Sequence, residues 1–382
     1  MATALQTQDL GRAGESLWMF FLCLRFSLQG LQFSGIFCCG CFFQNLQAVE
    51  AGHHTLNSFF RKLIWSFQAL WDCEKPSTDW RGKPIPGVLP GTKLMDGYLM
   101  CLWALICDLD HCLKCYNMPN STSNHPCALC PVDSTDLPWF DFRPNAGWID
   151  YIYTVQAWLA AGQKRCILFD IIGVSILSFY PDWMHCKSLG IDKVLIGSVL
   201  WLLVHHILPD DPETNLSAIW KDIEDIYKEL GTTNKYGQMR MTMFTTNSAP
   251  KMKGKAAEIK DLGPVLVRVW EKYYNEKLGI HRKILTILEG SAHLDQILTD
   301  HPSDFVLPEA DADDLISTGF IMLATWYEVF LHFRACDMPL FGLTAKAHIL
   351  LHCCLLSKKS RGIVFRTIDR DGFANRQRCL CT

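Results

Sequence analysis

Four cysteines in the middle of the chain have the spacing of a zinc site. Two Cys-x2-Cys pairs, Cys112 with Cys115 and Cys127 with Cys130, are separated by eleven residues. Each pair can supply two thiolates from one turn, and the intervening loop can close a tetrahedral site around Zn²⁺. We therefore predict a structural zinc ion that organises an irregular loop, with four unligated thiols as the alternative. Two neighbouring histidines are alternative ligands, His111 and His125.

A carboxylate and an imidazole stand three residues apart in the segment Pro181–Cys186. Asp182 and His185 can face the same side of a first helical turn. Together they can hold a metal ion or orient a catalytic group. An aspartate at the start of a helix is also a common N-cap residue, and that structural role is the alternative.

One acidic residue, Glu258, lies in a run of lysines. The run comprises Lys251, Lys253, Lys255 and Lys260. Lysines in such a block can neutralise the phosphates of a nucleic acid, and a carboxylate among them suits a Mg²⁺ ligand beside a phosphate path. The pattern therefore predicts phosphate contacts from these four lysines, with a solvated helix face carrying Glu–Lys pairs as the alternative.

Two histidines, His348 and His352, have the i, i+4 spacing that places metal ligands on one helix face. Ile349 stands where the glutamate of a metalloprotease helix would be, which argues against a protease. Packing against the core, or contact with phosphate, is the alternative interpretation.

The composition limits the class of protein. The chain has 382 residues, of which 49% are hydrophobic, so it can bury a sizeable core. A formal net charge of −3 excludes a uniformly basic surface but not local basic blocks, such as residues 235–283. The N-terminus lacks the basic region of a signal peptide. We therefore expect the 18 cysteines to be reduced and the protein to be nuclear or otherwise intracellular, not secreted.

The elements that must position these groups form a strand-containing front half and a mostly helical back half. The apolar run Tyr98–Ile106 predicts a buried strand that ends at acidic residues, with a short helix as the alternative. Two further strands are expected over 166–172 and 174–179, split at Gly173. Helices are expected around 59–70 and over 183–208, 216–230, 255–278, 280–299, 310–334 and 344–356.

The most apolar stretch, Leu17–Phe43, is interrupted by polar residues and glycines. It lacks a solid run of about 20 apolar residues, so no stable membrane insertion is favoured, and a membrane anchor is the alternative. Within it, Cys38, Cys39 and Cys41 have no spaced partner pair and receive no functional assignment. We expect four regions: an apolar, Cys-rich segment of uncertain fold (1–64), a core portion with the Cys-rich loop (65–208), a helical region (209–356) and a basic tail (357–382).

Taken in order, five segments resemble the catalytic region of RNase H-like cut-and-paste DNA transposases, and among these the CACTA-like branch. They read LMDGYLMCLWALICDLDHC, SNHPCALCP, DWMHCKSLGIDKVLIGSVL, KMKGKAAEIKDLGPVL and KAHILLH. The resemblance covers about residues 65–355. It implies an RNase H-like α/β core followed by a helical region, and it implies DNA as the partner, with a homo-oligomer as a further expectation.

The resemblance also implies metal-dependent DNA strand cleavage and transfer, in which three carboxylates hold two Mg²⁺ ions. By position these carboxylates are Asp108, Asp182 and Glu258. The substitutes for the first and the last are Asp110 and Glu328.

The CxxC of the family is matched by Cys127 and Cys130, and the Asp-x-x-His motif includes His185. One zinc ion shared by Cys127, Cys130 and His185 is therefore an alternative to the four-cysteine site. The first catalytic aspartate of the family, which lies on an earlier strand, is not identifiable here. We therefore weigh a degenerate or truncated copy that binds DNA against an active enzyme, and against a non-catalytic, zinc-stabilised binding or scaffold protein.

Overall fold

The chain divides into two compact units. The first comprises Met1–Met118 and Thr154–Phe179, and the second comprises Pro119–Tyr153 and Tyr180–Thr382. Because both units are discontinuous in sequence, residues far apart along the chain meet within each of them. The structure is a computed structural model. It describes residues 17–28, 31–43, 50–89, 91–94, 99–162, 165–245, 249–301 and 307–359; nearly all of the predicted basic tail lies outside these ranges.

The first unit is built on an antiparallel sheet. Strand β1 (Leu17–Leu28) pairs antiparallel with β2 (Leu31–Phe43) on one side and with β3 (Leu99–Cys107) on the other. The apolar stretch considered as a membrane anchor is therefore a β-hairpin. The strand order is β2-β1-β3-β4, in which β4 (Phe179–Pro181) is a short strand where the chain passes into the second unit.

Two predicted elements of the first unit are confirmed. Helix α1 (Glu50–Asp72) includes the apolar residues expected around 59–70, and it buries Leu56, Phe60 and Phe67. Strand β3 is the predicted strand after residue 98. A continuous apolar run is typical of a strand buried on both faces, and four of its residues are buried: Leu102, Ala104, Leu105 and Ile106.

The two strands predicted over 166–172 and 174–179 are wrong. After α2 (Leu109–Tyr116) and α3 (Val155–Ala160), this part of the chain forms two short 3₁₀ turns, 167–170 and 176–178. Gly173 between them has a φ of +81°, a left-handed conformation that breaks an extended chain. Short apolar runs do not distinguish a strand from a buried turn by pattern alone.

The second unit is mostly helical, as the sequence predicted. One continuous helix begins at Trp183 and ends at Ile207, and within it α4 (Trp183–Cys186) and α5 (Asp192–Leu202) are each followed by a five-residue π-helical turn. The described part of the chain then forms five more helices: α6 (Pro212–Glu229), α7 (Ala256–Tyr273), α8 (Gly279–Asp300), α9 (Glu309–Ala335) and α10 (Ala345–Lys359). The structure therefore confirms that strands are followed by a mostly helical region. The RNase H-like arrangement of the core remains a prediction from the sequence resemblance.

Among the described residues, two helices are long and apolar enough to cross a membrane, Trp183–Ile207 and Glu309–Ala335. Of the apolar window in the first, 72% is buried inside the protein. A core helix of a globular protein passes the same test of length and hydropathy, so this finding is weak evidence for a membrane span.

Candidate metal centre

Four side chains of the second unit bring metal-ligating atoms together. They belong to Cys127, Cys130, His348 and His352, and their ligand atoms all lie within 4.8 Å of one another. All four residues are buried. Two thiolates and two imidazoles are an established ligand set for tetrahedral Zn²⁺.

The two cysteines lie in an irregular loop, where backbone hydrogen bonds set their geometry. The backbone N–H of Leu129 donates to the Cys127 Sγ at 3.3 Å, so the sulfur lies inside the turn. The Leu129 carbonyl accepts from the backbone N–H of Tyr153 at 2.9 Å. The loop therefore presents both thiols on one side, as a Cys-x2-Cys pair must to share one ion.

The two histidines lie on α10, where the i, i+4 spacing places them on one face. Trp148 packs against both rings, with centroid distances of 4.5 Å to His348 and 5.1 Å to His352. The Trp148 Nε1 donates to the Asp141 carbonyl at 2.7 Å, which fixes the indole ring. A buried aromatic wall therefore shields the imidazoles from water.

The distances fit a single small ion. The Cys130 Sγ lies 3.1 Å from the His348 Nε2 and 3.2 Å from the His352 Nε2, and the two Nε2 atoms are 3.1 Å apart. Donor atoms around one tetrahedral Zn²⁺ are separated by about 3.3 to 3.8 Å, because Zn–N and Zn–S bonds are about 2.0 and 2.3 Å long. A movement of a few tenths of an ångström would complete the coordination.

The electrostatics favour the ligand form at Cys127 and at His348, whereas burial and the neighbouring Cys127 raise the pKa of the Cys130 thiol. Burial would raise the pKa of the Cys127 thiol, but hydrogen bonding from Cys130 and the charge of His352 outweigh burial and hold that pKa well below its ordinary value. Burial lowers the pKa of His348, which favours the neutral imidazole. A thiolate beside a neutral imidazole is the state that binds zinc.

Both halves of this centre could be predicted from the sequence, but their pairing could not. Cys127 and Cys130 were predicted zinc ligands, and His348 and His352 take the places that the sequence analysis gave to Cys112 and Cys115. The last two residues lie on α2 of the first unit, and the Cys112 Sγ donates to the Asp108 carbonyl at 2.8 Å. The i, i+4 histidine pair was the signal that could have completed the set.

The Asp-x-x-His motif forms a local contact instead of joining the cluster. Asp182 is fully buried and caps α4, where its carboxylate accepts from the His185 backbone N–H at 3.3 Å and also contacts the His185 Nδ1. Helix α10 contacts this motif directly. The Lys346 Nζ donates to the His185 carbonyl at 3.0 Å, and the Cys353 Sγ donates to the Pro181 carbonyl at 3.7 Å.

The remaining candidate acids also make local interactions. Asp108 caps α2 by accepting from the His111 backbone N–H at 2.7 Å. Glu258 accepts from the Lys255 backbone N–H at 2.8 Å at the start of α7. In the described part of the chain, neither acid nor Asp182 belongs to the group that can hold a metal, and the structure does not support Mg²⁺. The substitute acids pair with lysines: Asp110 with Lys114 and Glu328 with Lys283.

A buried ionic network in the helical core was missed by the sequence analysis. The ammonium group of Lys187, fully buried, donates to Asp192 at 2.8 Å, Ser291 at 2.9 Å and Asp295 at 2.6 Å. Ser291 donates in turn to Asp192 at 2.8 Å. Lys187 and Asp192 are five residues apart at a π-helical turn, whereas Ser291 and Asp295 lie on α8, 99 or more residues further along the chain. No local pattern therefore indicates that the two pairs meet.

Comparison with known proteins gives no family assignment: no family model matches the chain, and neither a curated protein nor a solved structure matches it significantly.

Proposed function

We propose that this chain is a zinc-organised DNA-binding protein of the transposase-like type. The observation that carries the proposal is the buried centre of Cys127, Cys130, His348 and His352. It ties an irregular loop to α10, and the loop has little regular structure of its own to hold it in place. A metal in this position stabilises the folded state because the unfolded chain does not present the four ligands together.

DNA binding is the second part of the proposal. It is supported by the transposase-like order of the CxxC, Asp-x-x-His and lysine-rich segments, and by the exposed lysines between 251 and 255. Positively charged side chains that face solvent can replace counterions along the phosphate backbone. An RNase H-like core belongs to the same proposal, as what the sequence resemblance implies.

Strand cleavage is not part of the proposal. It would require Asp108, Asp182 and Glu258 to share Mg²⁺ ions, and the hydrogen bonds described for these residues are local caps. The function that the site supports best is a binding function with a structural metal.

The zinc content of the purified chain tests the first part. We expect one zinc ion per chain by elemental analysis, and we expect Cys127→Ser to lose it together with a large part of the thermal stability. Cys336→Ser, at an exposed cysteine, is the matched control and should retain the metal. Wild-type protein that contains no zinc after preparation in zinc-supplemented medium, or a Cys127→Ser variant with full zinc content, would contradict the proposal.

Binding of a labelled DNA duplex to the zinc-loaded chain tests the second part. We expect binding that weakens steeply with salt, because phosphate contacts release counterions. Absence of binding at low salt would leave a zinc-stabilised scaffold protein as the function and would refute the DNA-binding part.

A further inference from the structure

Three lysines from different parts of the second unit are held next to one another. Lys193 lies on α5, Lys251 lies in the segment before α7, and Lys346 lies on α10. Only Lys251 belongs to the lysine run seen in the sequence. The other two are brought to it by the fold.

Backbone contacts fix this arrangement. The backbone N–H of Met252 donates to the Lys193 carbonyl at 2.8 Å. The segment passes so close to α5 that a Cβ at Gly197 would lie 2.7 Å from the Lys251 backbone nitrogen. The Lys346 Nζ donates to the His185 carbonyl at 3.0 Å. A Cβ at Gly190, three residues before Lys193, would lie 3.0 Å from the Lys346 Cδ, so the Lys346 side chain lies against the turn that precedes Lys193.

The charges in this cluster repel one another. Partial burial lowers the pKa of Lys193, and the charges of Lys251 and Lys346 lower it further. Among the described residues, no carboxylate lies within 4.0 Å of the ammonium group of Lys193 or Lys251. The acid next in sequence, Asp192, is buried and faces Lys187 instead. By contrast, several lysines of this unit have carboxylate partners: Lys187, Lys228, Lys272, Lys283 and Lys358.

We propose that Lys193, Lys251 and Lys346 together bind a phosphate group in the backbone of a DNA duplex. A phosphodiester oxygen supplies the negative charge that relieves the repulsion, and ammonium groups are good point-charge partners for it. This inference rests on the proposed DNA-binding function and assigns a place to it. Lys346 is two residues from the zinc ligand His348 on α10, so metal binding also positions the site.

Fluorescence anisotropy with a labelled duplex of about 30 base pairs tests the inference, measured on the zinc-loaded full chain at several salt concentrations. The test variant is Lys193→Gln, Lys251→Gln and Lys346→Gln combined. The control variant removes the same charge from three lysines that already have carboxylate partners: Lys228→Gln, Lys272→Gln and Lys283→Gln. The logarithm of the association constant falls linearly with the logarithm of the salt concentration. For one lost phosphate contact, we expect this slope to become less steep by about 0.9 and the affinity at 0.1 M salt to fall about eightfold. The control variant should change neither quantity.

The outcomes separate this inference from the proposed function. If the wild-type chain binds DNA and the two triple variants lose the same affinity, the lysine site is refuted while DNA binding stands. If the wild-type chain does not bind the duplex, both are refuted. Should the test variant fail to fold by circular dichroism, Lys251→Gln alone serves in its place, because that side chain is exposed. It must weaken binding more than Lys228→Gln does, or the site is refuted.

Discussion

The buried network around Lys187 has one ammonium group and two carboxylates, and this imbalance makes a sharp prediction. Lys187→Met leaves Asp192 and Asp295 buried without their cation. Breaking a buried ion pair from one side typically costs about 3 to 5 kcal/mol of stability. Asp192→Asn leaves Lys187 and Asp295 as a neutral pair, and it keeps a group that can hydrogen bond to Ser291. We expect that variant to lose only about 1 kcal/mol, the net value of one hydrogen bond.

The pH dependence gives an independent check. Burial raises the pKa of Asp192 above its ordinary value. The folded state therefore holds a proton that the unfolded state releases, and the stability from this group is lost as the pH rises from about 4 through the raised pKa. The loss is at most about 1.4 kcal/mol per pH unit for one proton. Burial disfavours the charged form of Lys187, but the charges of Asp192 and Asp295 outweigh burial and raise the pKa of Lys187. The stabilisation that this ammonium group provides is therefore lost only as the pH rises through that raised pKa, at alkaline pH.

Urea unfolding followed by circular dichroism, repeated at several pH values, measures both effects. As the pH rises, the free energy of unfolding of Asp192→Asn should increase relative to wild type, because the variant has no proton to lose. The pH dependence of the metal centre is common to both proteins and cancels in the difference. Asp225→Asn, which removes an exposed partner of Lys228, is the control and should have little effect. A Lys187→Met variant no less stable than Asp192→Asn, or a pH-independent difference between Asp192→Asn and wild type, would refute the reasoning.

Two further changes test the site and the packing. His352→Gln should abolish stoichiometric zinc binding, measured by elemental analysis, whereas the exposed His332→Gln should retain it; equal zinc contents would contradict the assigned ligand set. Gly197→Ala should lower the melting temperature by a few degrees, because its Cβ would lie 2.7 Å from the Lys251 backbone nitrogen and overpacking typically costs about 1 to 3 kcal/mol. Gly237→Ala is the control: a Cβ there would meet nothing within 4 Å and its φ is not left-handed, so the change should leave the melting temperature unchanged or raise it slightly.

The long periodic elements could be predicted from the sequence, whereas short ones could not. Helices α6 to α10 follow apolar spacing that extends over many turns, and strand β3 follows a continuous apolar run. Residues 166–179 are also apolar, but Gly173 and the 3₁₀ turns on either side prevent strand formation. The hairpin Leu17–Phe43 was not predicted, because its strands show no clear apolar–polar alternation in the sequence.

The metal centre shows the same division between local and distant information. The spacing of Cys127 and Cys130 is a local pattern, and so is the spacing of His348 and His352, so each half could be found by inspection. Their pairing depends on tertiary contacts that no local spacing contains. Cys112 and Cys115 were the nearer candidates in sequence and were therefore predicted, whereas the cluster that the structure forms pairs Cys127 and Cys130 with the two histidines.

The two halves of the metal centre are separated by 218 residues between Cys130 and His348. A metal that joins them closes a chain loop of that size. By analogy with a disulfide, a crosslink over such a loop lowers the conformational entropy of the unfolded chain and so raises its free energy by on the order of 5 kcal/mol. It also sets an order of events during synthesis. At about 5 to 20 residues per second, the cysteines leave the ribosome roughly 10 to 45 seconds before the histidines. During that interval the cysteine pair has only half of its coordination sphere, so final folding of the second unit must wait until α10 has been made.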